Sequence, residues 1–267
     1  ANAYAAKRHY FMGESLVLHN PSPELSVAEN LLRMMRPDQS YTSEEAHLLD
    51  LMLILHAEHS SNNSTFVCRA ISSSGSDTYS AIAGAVGSLK GPLHGGANAK
   101  VMRMYRDICA NIGHTPDDAA LSAYLDRILD GDVGDHSGKI YGLGHAVYTV
   151  SDPRAIVIQK YATDLAREKG CLADLELMER IEQMGIEKIT KRKGLTIPMC
   201  ANVDFYSGFV YDMLDIPEDL FTPVFAIARI AGWCAHRMEE VATGGRIMRP
   251  AYRTALKTHD YIPQELR

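Results

Sequence analysis

Apolar residues recur at helical spacing along most of the chain. In "YTSEEAHLLDLMLILHAEH" Thr42 stands as a cap with Glu45 three residues on, ahead of a long apolar run. "SDTYSAIAGAVGSLKG" opens on a Ser/Asp cap, and its Ala81, Ala83, Gly84, Ala85 and Gly87 predict close approach by another helix. Further helices are predicted in "GGANAKVMRMYRDICANIG", "TPDDAALSAYLDRILDGD", "SDPRAIVIQKYATDLAREKG" and "LADLELMERIEQMGIEKITKRKG". "ANVDFYSGFVYDMLDIP" and "LFTPVFAIARIAGWCAHRMEEVATGG" complete the set. Alternation of strand type is confined to "HYFMGESLVLH", read as a short hairpin. Polar and glycine-rich stretches at 60–76, 131–144 and 243–250 read as loops. The predicted class is mainly α.

Composition narrows the function. The 267 residues are 46% hydrophobic, ordinary for a globular core. Lys plus Arg number 27 against 33 Asp plus Glu, a net charge of −6. That balance argues against non-specific nucleic-acid or membrane binding and makes any positive site local. The five cysteines are scattered, odd in number and free of a C-x-x-C pair. They read as reduced thiols of a cytoplasmic protein, with no zinc site. No apolar run is long enough to span a bilayer, and the N-terminus lacks a signal-peptide pattern. The chain opens on "ANAYAAKRHY" without Met, which reads as a fragment or processed form.

Four stretches offer chemistry. In "SLKGPLHGGANAKV" glycines and a proline frame His94 just before a helix. The ring is either a turn residue or a neutral imidazole kept so by the N-terminus of the helix beginning near Ala97, able to donate toward a carbonyl. In "KIYGLGHAVYTVSDPRA" His145 follows Gly-x-Gly, with Arg154 nine residues on. Asp204, in "ANVDFYSGFV", reads equally as a first-turn cap or as a free carboxylate. Arg229 lies in the apolar "TPVFAIARIAGW", where an anion would have to pair with it unless it snorkels to the surface. Arg249 falls on a glycine-rich turn. His56 and His59 form H-x-x-H, but Glu58 lies between them and a third ligand is missing, so a helix-terminal histidine is favoured over metal binding.

Taken in order, "LHAEHS", "GSLKGPLHGGAN", "GLGHAVYTVSDPRA", "ANVDFYSG" and "FAIARIAGW" closely resemble the citrate synthase family, in versions like those of Gram-positive bacteria. The resemblance implies condensation of acetyl-CoA with oxaloacetate and hydrolysis of the citryl thioester. It implies Asp204 as base, His94 as neutral donor to the thioester enolate, and His145 as donor to the ketone of oxaloacetate. His56, Arg154 and Arg229 would hold the oxaloacetate carboxylates. Arg249 would reach the partner's site in a homodimer. Gly142, Leu143 and Gly144 would lie against the coenzyme A adenine.

The chain departs from many relatives in carrying Thr149 where a lysine or arginine often follows the second histidine, and "KRK" at 191–193 is a conceivable replacement for that phosphate contact. The resemblance further implies a partial large helical domain, 1–95 and 214–267, and a small helical domain, 96–213, with the substrate cleft between them. Alternatives are a 2-methylcitrate synthase using propionyl-CoA, a citryl-CoA lyase, and a non-catalytic dimer-forming fragment.

Overall fold

Helix-starting side chains do what their positions predict. In the computed structural model, which describes residues 1–145, 147–197, 199–251 and 261–266, Thr42 accepts from the Glu45 amide while Glu45 reaches back to the Thr42 amide. Asp77, Asp117 and Asn202 cap three more helices. Among the described residues there are eleven α-helices: α1 Asn2–Met12, α2 Val27–Met35, α3 Ser43–Ala57, α4 Asn63–Ser73, α5 Thr78–Leu89, α6 Ala97–Ile112, α7 Asp118–Asp130, α8 Pro153–Glu168, α9 Leu172–Lys193, α10 Val203–Met213 and α11 Phe221–Ala242. The only β pairing among them is an isolated antiparallel bridge between Leu143 and Ala201. None of these helices is long and apolar enough to cross a membrane.

Two expectations are corrected. The hairpin over "HYFMGESLVLH" is absent. Residues 2–12 form α1, stopped by Gly13 in the left-handed region (φ 71°), and the following residues run on as coil. An alternating tract with no partner strand gains nothing from extension, whereas the Ala- and Lys-containing segment before it favours a helix. The polar stretch 60–76 is largely α4 rather than a loop. Asn62 caps it, and Cys68 anchors its inner face under Trp233 of α11, both fully buried. Its serines and asparagines are cap and surface residues around a packed stripe.

Small residues set two close approaches that matter for the site. A Cβ on Gly84 would collide with the Ile71 side chain, so α5 lies directly on α4, as the run of small residues predicts. On α11, a Cβ on Gly232 would collide with the Ala57 carbonyl and sit 3.2 Å from Glu58 Cα. That contact seats α11 against the end of α3, and brings Arg229 one turn earlier beside His56. Elsewhere α10 is clasped between α6 and α8, with Gly208 facing the Asn98 carbonyl. Burying Phe205, Tyr206 and Tyr211 there contributes roughly 1.5–3 kcal/mol apiece. α10 is therefore a rigid mount for whatever projects from its first turn.

Candidate active site

The first turn of α10 carries Asp204, and its capping is done by others. Asn202 Oδ1 accepts from the Asp204 amide at 3.0 Å, and Asp152 Oδ2 accepts from the Val203 amide at 3.1 Å. The Asp204 carboxylate receives no hydrogen bond from any described residue. The cap reading of this acid is thus set aside in favour of the free carboxylate. Burial pushes its pKa up to about 6, against the pull of Arg154 and Arg229.

Backbone pairing attaches the His145 loop to that same helix end. The Gly144 amide donates to Cys200 O at 2.7 Å and the Asn202 amide to Gly142 O at 2.9 Å, while Asn202 Nδ2 reaches Gly144 O. Gly142 (φ 80°) has the Phe205 ring 2.7 Å from where a Cβ would be, so only glycine fits. Leu143 packs inward against Gly185 of α9. His145 Nδ1 accepts from the amides of Val147 (3.0 Å) and Tyr148 (3.2 Å). An acceptor at Nδ1 places the proton on Nε2, leaving an N–H to donate. Burial, and then Arg154, lower the pKa of the ring.

His94 is held in the opposite tautomer. The Ser64 amide donates to its Nε2 at 3.3 Å, with Ser64 Oγ at 3.0 Å. The proton therefore sits on Nδ1. Burial, then Arg229, lower its pKa. The sequence reading looked to α6 for the helix end that acts on this ring; the amide that fixes its tautomer comes from α4, whose first turn contains Ser64. The positive N-terminal end of α4 points at the ring from a segment read as loop.

The arginines gather the cluster. Arg154 is bound through Nε and Nη2 to the buried Asp152 (3.0 and 2.7 Å). Arg229 is 2% exposed, donates from Nε to the His56 carbonyl at 2.6 Å and lies over the Phe225 ring. Among the described residues no carboxylate pairs with it, and burial, then Arg154, lower its pKa to about 10. Arg229 acts electrostatically on His94, His59 and Asp204, and Arg154 acts on His59, His145 and Asp204. Residues from five separate segments thus meet around two cations, of which Arg154 is paired with Asp152 and Arg229 has no carboxylate partner among the described residues.

His56 lies behind this cluster. It is 0% exposed, its Nδ1 lies 2.7 Å from the Met52 carbonyl, and burial lowers its pKa to about 4. The histidine facing the cluster is His59, one turn later and past the end of α3. Its ring is 5.2 Å from that of His145, and its Nε2 is 3.2 Å from the Tyr148 hydroxyl. The sequence reading gave the diacid contact to His56; the structure buries that ring and sets His59 beside His145 and Tyr148. The apolar stripe holding His56 was itself the sign that it points inward.

Arg249 is exposed and makes no contact with the cluster of its own chain, although the neighbouring Met248 amide donates to Ser73 Oγ at 3.0 Å. In the "KRK" run Arg192 is bound to Asp126 and Asp130, and the run ends α9 where basic residues suit the helix dipole. The run forms the C-terminal end of α9.

The profile "Citrate synthase, C-terminal domain" matches residues 1–251. The chain belongs to the citrate synthase family. It is 41% identical over 243 residues to a citrate synthase of Deinococcus radiodurans, covering 91% of this chain and 59% of that one. The structure superposes on the crystal structure of citrate synthase from Pyrobaculum aerophilum with TM-score 0.76 and 32% identity, covering 100% of this chain and 61% of that one. The citrate synthase of Thermoplasma acidophilum, solved as a ternary complex with carboxymethyl coenzyme A and oxaloacetate, matches with TM-score 0.74 and 30% identity, over 99% of this chain and 65% of that one. The chain spans about three-fifths of the length of these relatives.

Proposed function

We propose that this chain carries the citrate synthase reaction, joining the methyl carbon of acetyl-CoA to the ketone of oxaloacetate and hydrolysing citryl-CoA to citrate and coenzyme A. The observation that carries the reading is the pairing of one partly buried carboxylate, Asp204, that receives no hydrogen bond from any described residue, with two imidazoles of lowered pKa whose tautomers are fixed by backbone amides. A carboxylate without hydrogen-bond donors is a stronger base than one in water. It takes a proton from the methyl carbon while the His94 Nδ1–H donates to the thioester oxygen, stabilising the enolate. The enolate carbon then attacks the ketone carbon, and the His145 Nε2–H donates to the ketone oxygen and protonates the alkoxide. Water cleaves the thioester, releasing the coenzyme A thiol. Arg154 and Arg229 hold the oxaloacetate carboxylates with planar forks, and His59 takes the place at the diacid first given to His56.

The glycine loop, Gly142–Gly144, is assigned to the adenine of coenzyme A. The substrate cleft is placed between a large helical part, 1–95 with 214–267, and a small one, 96–213. A second copy of the chain completes the site with Arg249. The exposed Phe66, Tyr79 and Val86 on α4 and α5 suit such an interface. The five free thiols fit a cytoplasmic protein. Incubation with acetyl-CoA and oxaloacetate, followed by chemical identification of the product, tests the reading. Citrate with equimolar free thiol supports it, and citryl-CoA cleavage without condensation would replace it by a lyase. A propionyl-CoA preference would shift the reading to 2-methylcitrate synthase, since one methyl in an apolar pocket alters selectivity by only about 1–3 kcal/mol.

A further inference from the structure

Asp152 is 1% exposed and uses both carboxylate oxygens, each twice. Oδ1 accepts from the Arg154 amide (3.0 Å) and from Arg154 Nε (3.0 Å). Oδ2 accepts from Arg154 Nη2 (2.7 Å) and, across 51 residues, from the amide of Val203 (3.1 Å). Val203 is the first residue of α10, and Asp204 is the next. One buried carboxylate therefore holds the guanidinium expected to bind oxaloacetate and the helix start that carries the expected base.

A cap on its own would need one oxygen and would not need a charge. Here the charge of Asp152 is matched by Arg154, whose hydrogen bonds and charge keep this acid ionised despite burial. The pair occupies the Nε–Nη2 edge of the guanidinium and fixes its plane, leaving the two N–H bonds of Nη1 and one of Nη2 for an anion. The bond to Val203 fixes the other end of the same geometry to α10.

We propose that Asp152 is a positioning residue that sets the separation and angle between the oxaloacetate-binding arginine and the base Asp204. The proposal rests on the citrate synthase reading given above. Oxaloacetate seated on Arg154 thereby lies at a fixed distance from the carboxylate that generates the nucleophile. A displacement of about 1 Å at this junction is enough to reduce turnover about 100-fold.

The bonds separate experimentally. Asp152→Asn turns one oxygen into a donor facing donors on Arg154 and Val203, and disturbs both arms. Val203→Pro deletes only the amide on the α10 arm. Proline is tolerated as the first residue of a helix, and Asn202 before it is extended (φ −96°, ψ 175°), as a residue preceding proline prefers. Val203→Ala controls for the loss of the buried side chain while keeping the amide.

Oxaloacetate affinity is read by calorimetry and turnover by thiol release from acetyl-CoA. Asp152→Asn is expected to weaken oxaloacetate binding at least 30-fold and lower kcat at least tenfold. Val203→Pro is expected to keep affinity within threefold of the unsubstituted chain and lower kcat at least tenfold. Val203→Ala should change neither by more than threefold. The split between affinity and kcat is one that general loosening of the fold would not produce, and Val203→Pro keeps the proposal readable where Asp152→Asn does not fold. Val203→Pro turning over as fast as Val203→Ala would overturn the proposal, as would Asp152→Asn with both values within threefold. An unsubstituted chain that neither binds oxaloacetate nor releases thiol would overturn the functional reading, and with it the role given to Asp152.

Discussion

The amide of Ser64, in the first turn of α4, points at Nε2 of His94, 30 residues away. An amide has only a proton to offer, so that nitrogen is unprotonated and Nδ1 carries the hydrogen. His145 is fixed the other way, with two amides on Nδ1. Nitrogen-15 NMR of labelled histidines checks this. His94 is expected as the Nδ1–H tautomer and His145 as the Nε2–H tautomer, both uncharged at pH 7.5, since burial lowers both pKa values from the ordinary histidine range. Like tautomers, or a charged ring at that pH, would contradict the assignment.

Arg229 is a buried cation whose partner is expected to be the substrate. Arg229→Leu removes that charge together with one bond to the His56 carbonyl. Melting temperature is expected to change by only a few degrees, because losing one neutral-acceptor bond and relieving a buried charge oppose each other. The dissociation constant for oxaloacetate should rise about 100-fold, roughly 3 kcal/mol. A large loss of stability with unchanged affinity would make this arginine structural.

His59 and His56 should separate cleanly. His59→Ala is expected to weaken oxaloacetate binding about tenfold with little change in melting temperature, because its ring faces the cluster. His56→Ala should destabilise the fold by about 2–4 kcal/mol by leaving a cavity under Phe225 and Arg229. Histidine 56 is neutral when folded, with a pKa near 4 against 6.5 when exposed. Its contribution is present above pH 6.5 and is lost as pH falls toward 4, and His56→Ala removes that part of the acid sensitivity.

Asp204 acts with the opposite sign. Its pKa of about 6 in the folded chain exceeds the ordinary 3.8, so ionisation opposes folding. Its contribution to stability is fully present below pH 3.8 and lost as pH rises through 6. Asp204→Asn is therefore expected to melt several degrees higher than the unsubstituted chain at pH 7.5, with the gap closing toward pH 4. Thermal scans across that range check it, and a gap independent of pH would contradict it.

Arg249 is tested by subunit mixing. Arg249→Ala and Asp204→Asn should each be nearly inactive alone. Mixed dimers place an intact Asp204 beside a partner's intact Arg249 in one site of two, so random pairing restores about a quarter of full activity. No recovery would mean that Arg249 serves its own chain's site.

Much of this was legible in the sequence, and the exceptions have physical reasons. Capping grammar located α3 and α5 directly, because Thr42 with Glu45 and the Ser/Asp pair before Thr78 satisfy amides locally. The segment around Asn62 failed because three serines and two asparagines stand between residue 60 and Cys68, and burial of Cys68 under Trp233 is a tertiary fact. The helix whose amide meets His94 was missed for the same reason. Spacing did not separate His56 from His59, because it says nothing of which ring clears the end of the helix. Asp152 could not be singled out, since its bond to Val203 joins residues that local sequence does not connect.

The most direct measurement is thiol release from acetyl-CoA at saturating oxaloacetate, for the unsubstituted chain beside Asp204→Asn. The account predicts release by the unsubstituted chain that depends strictly on oxaloacetate, and a loss of at least 1,000-fold on substitution, in keeping with the removal of a general base. Release that ignores oxaloacetate, or that survives the loss of the Asp204 carboxylate, would contradict it.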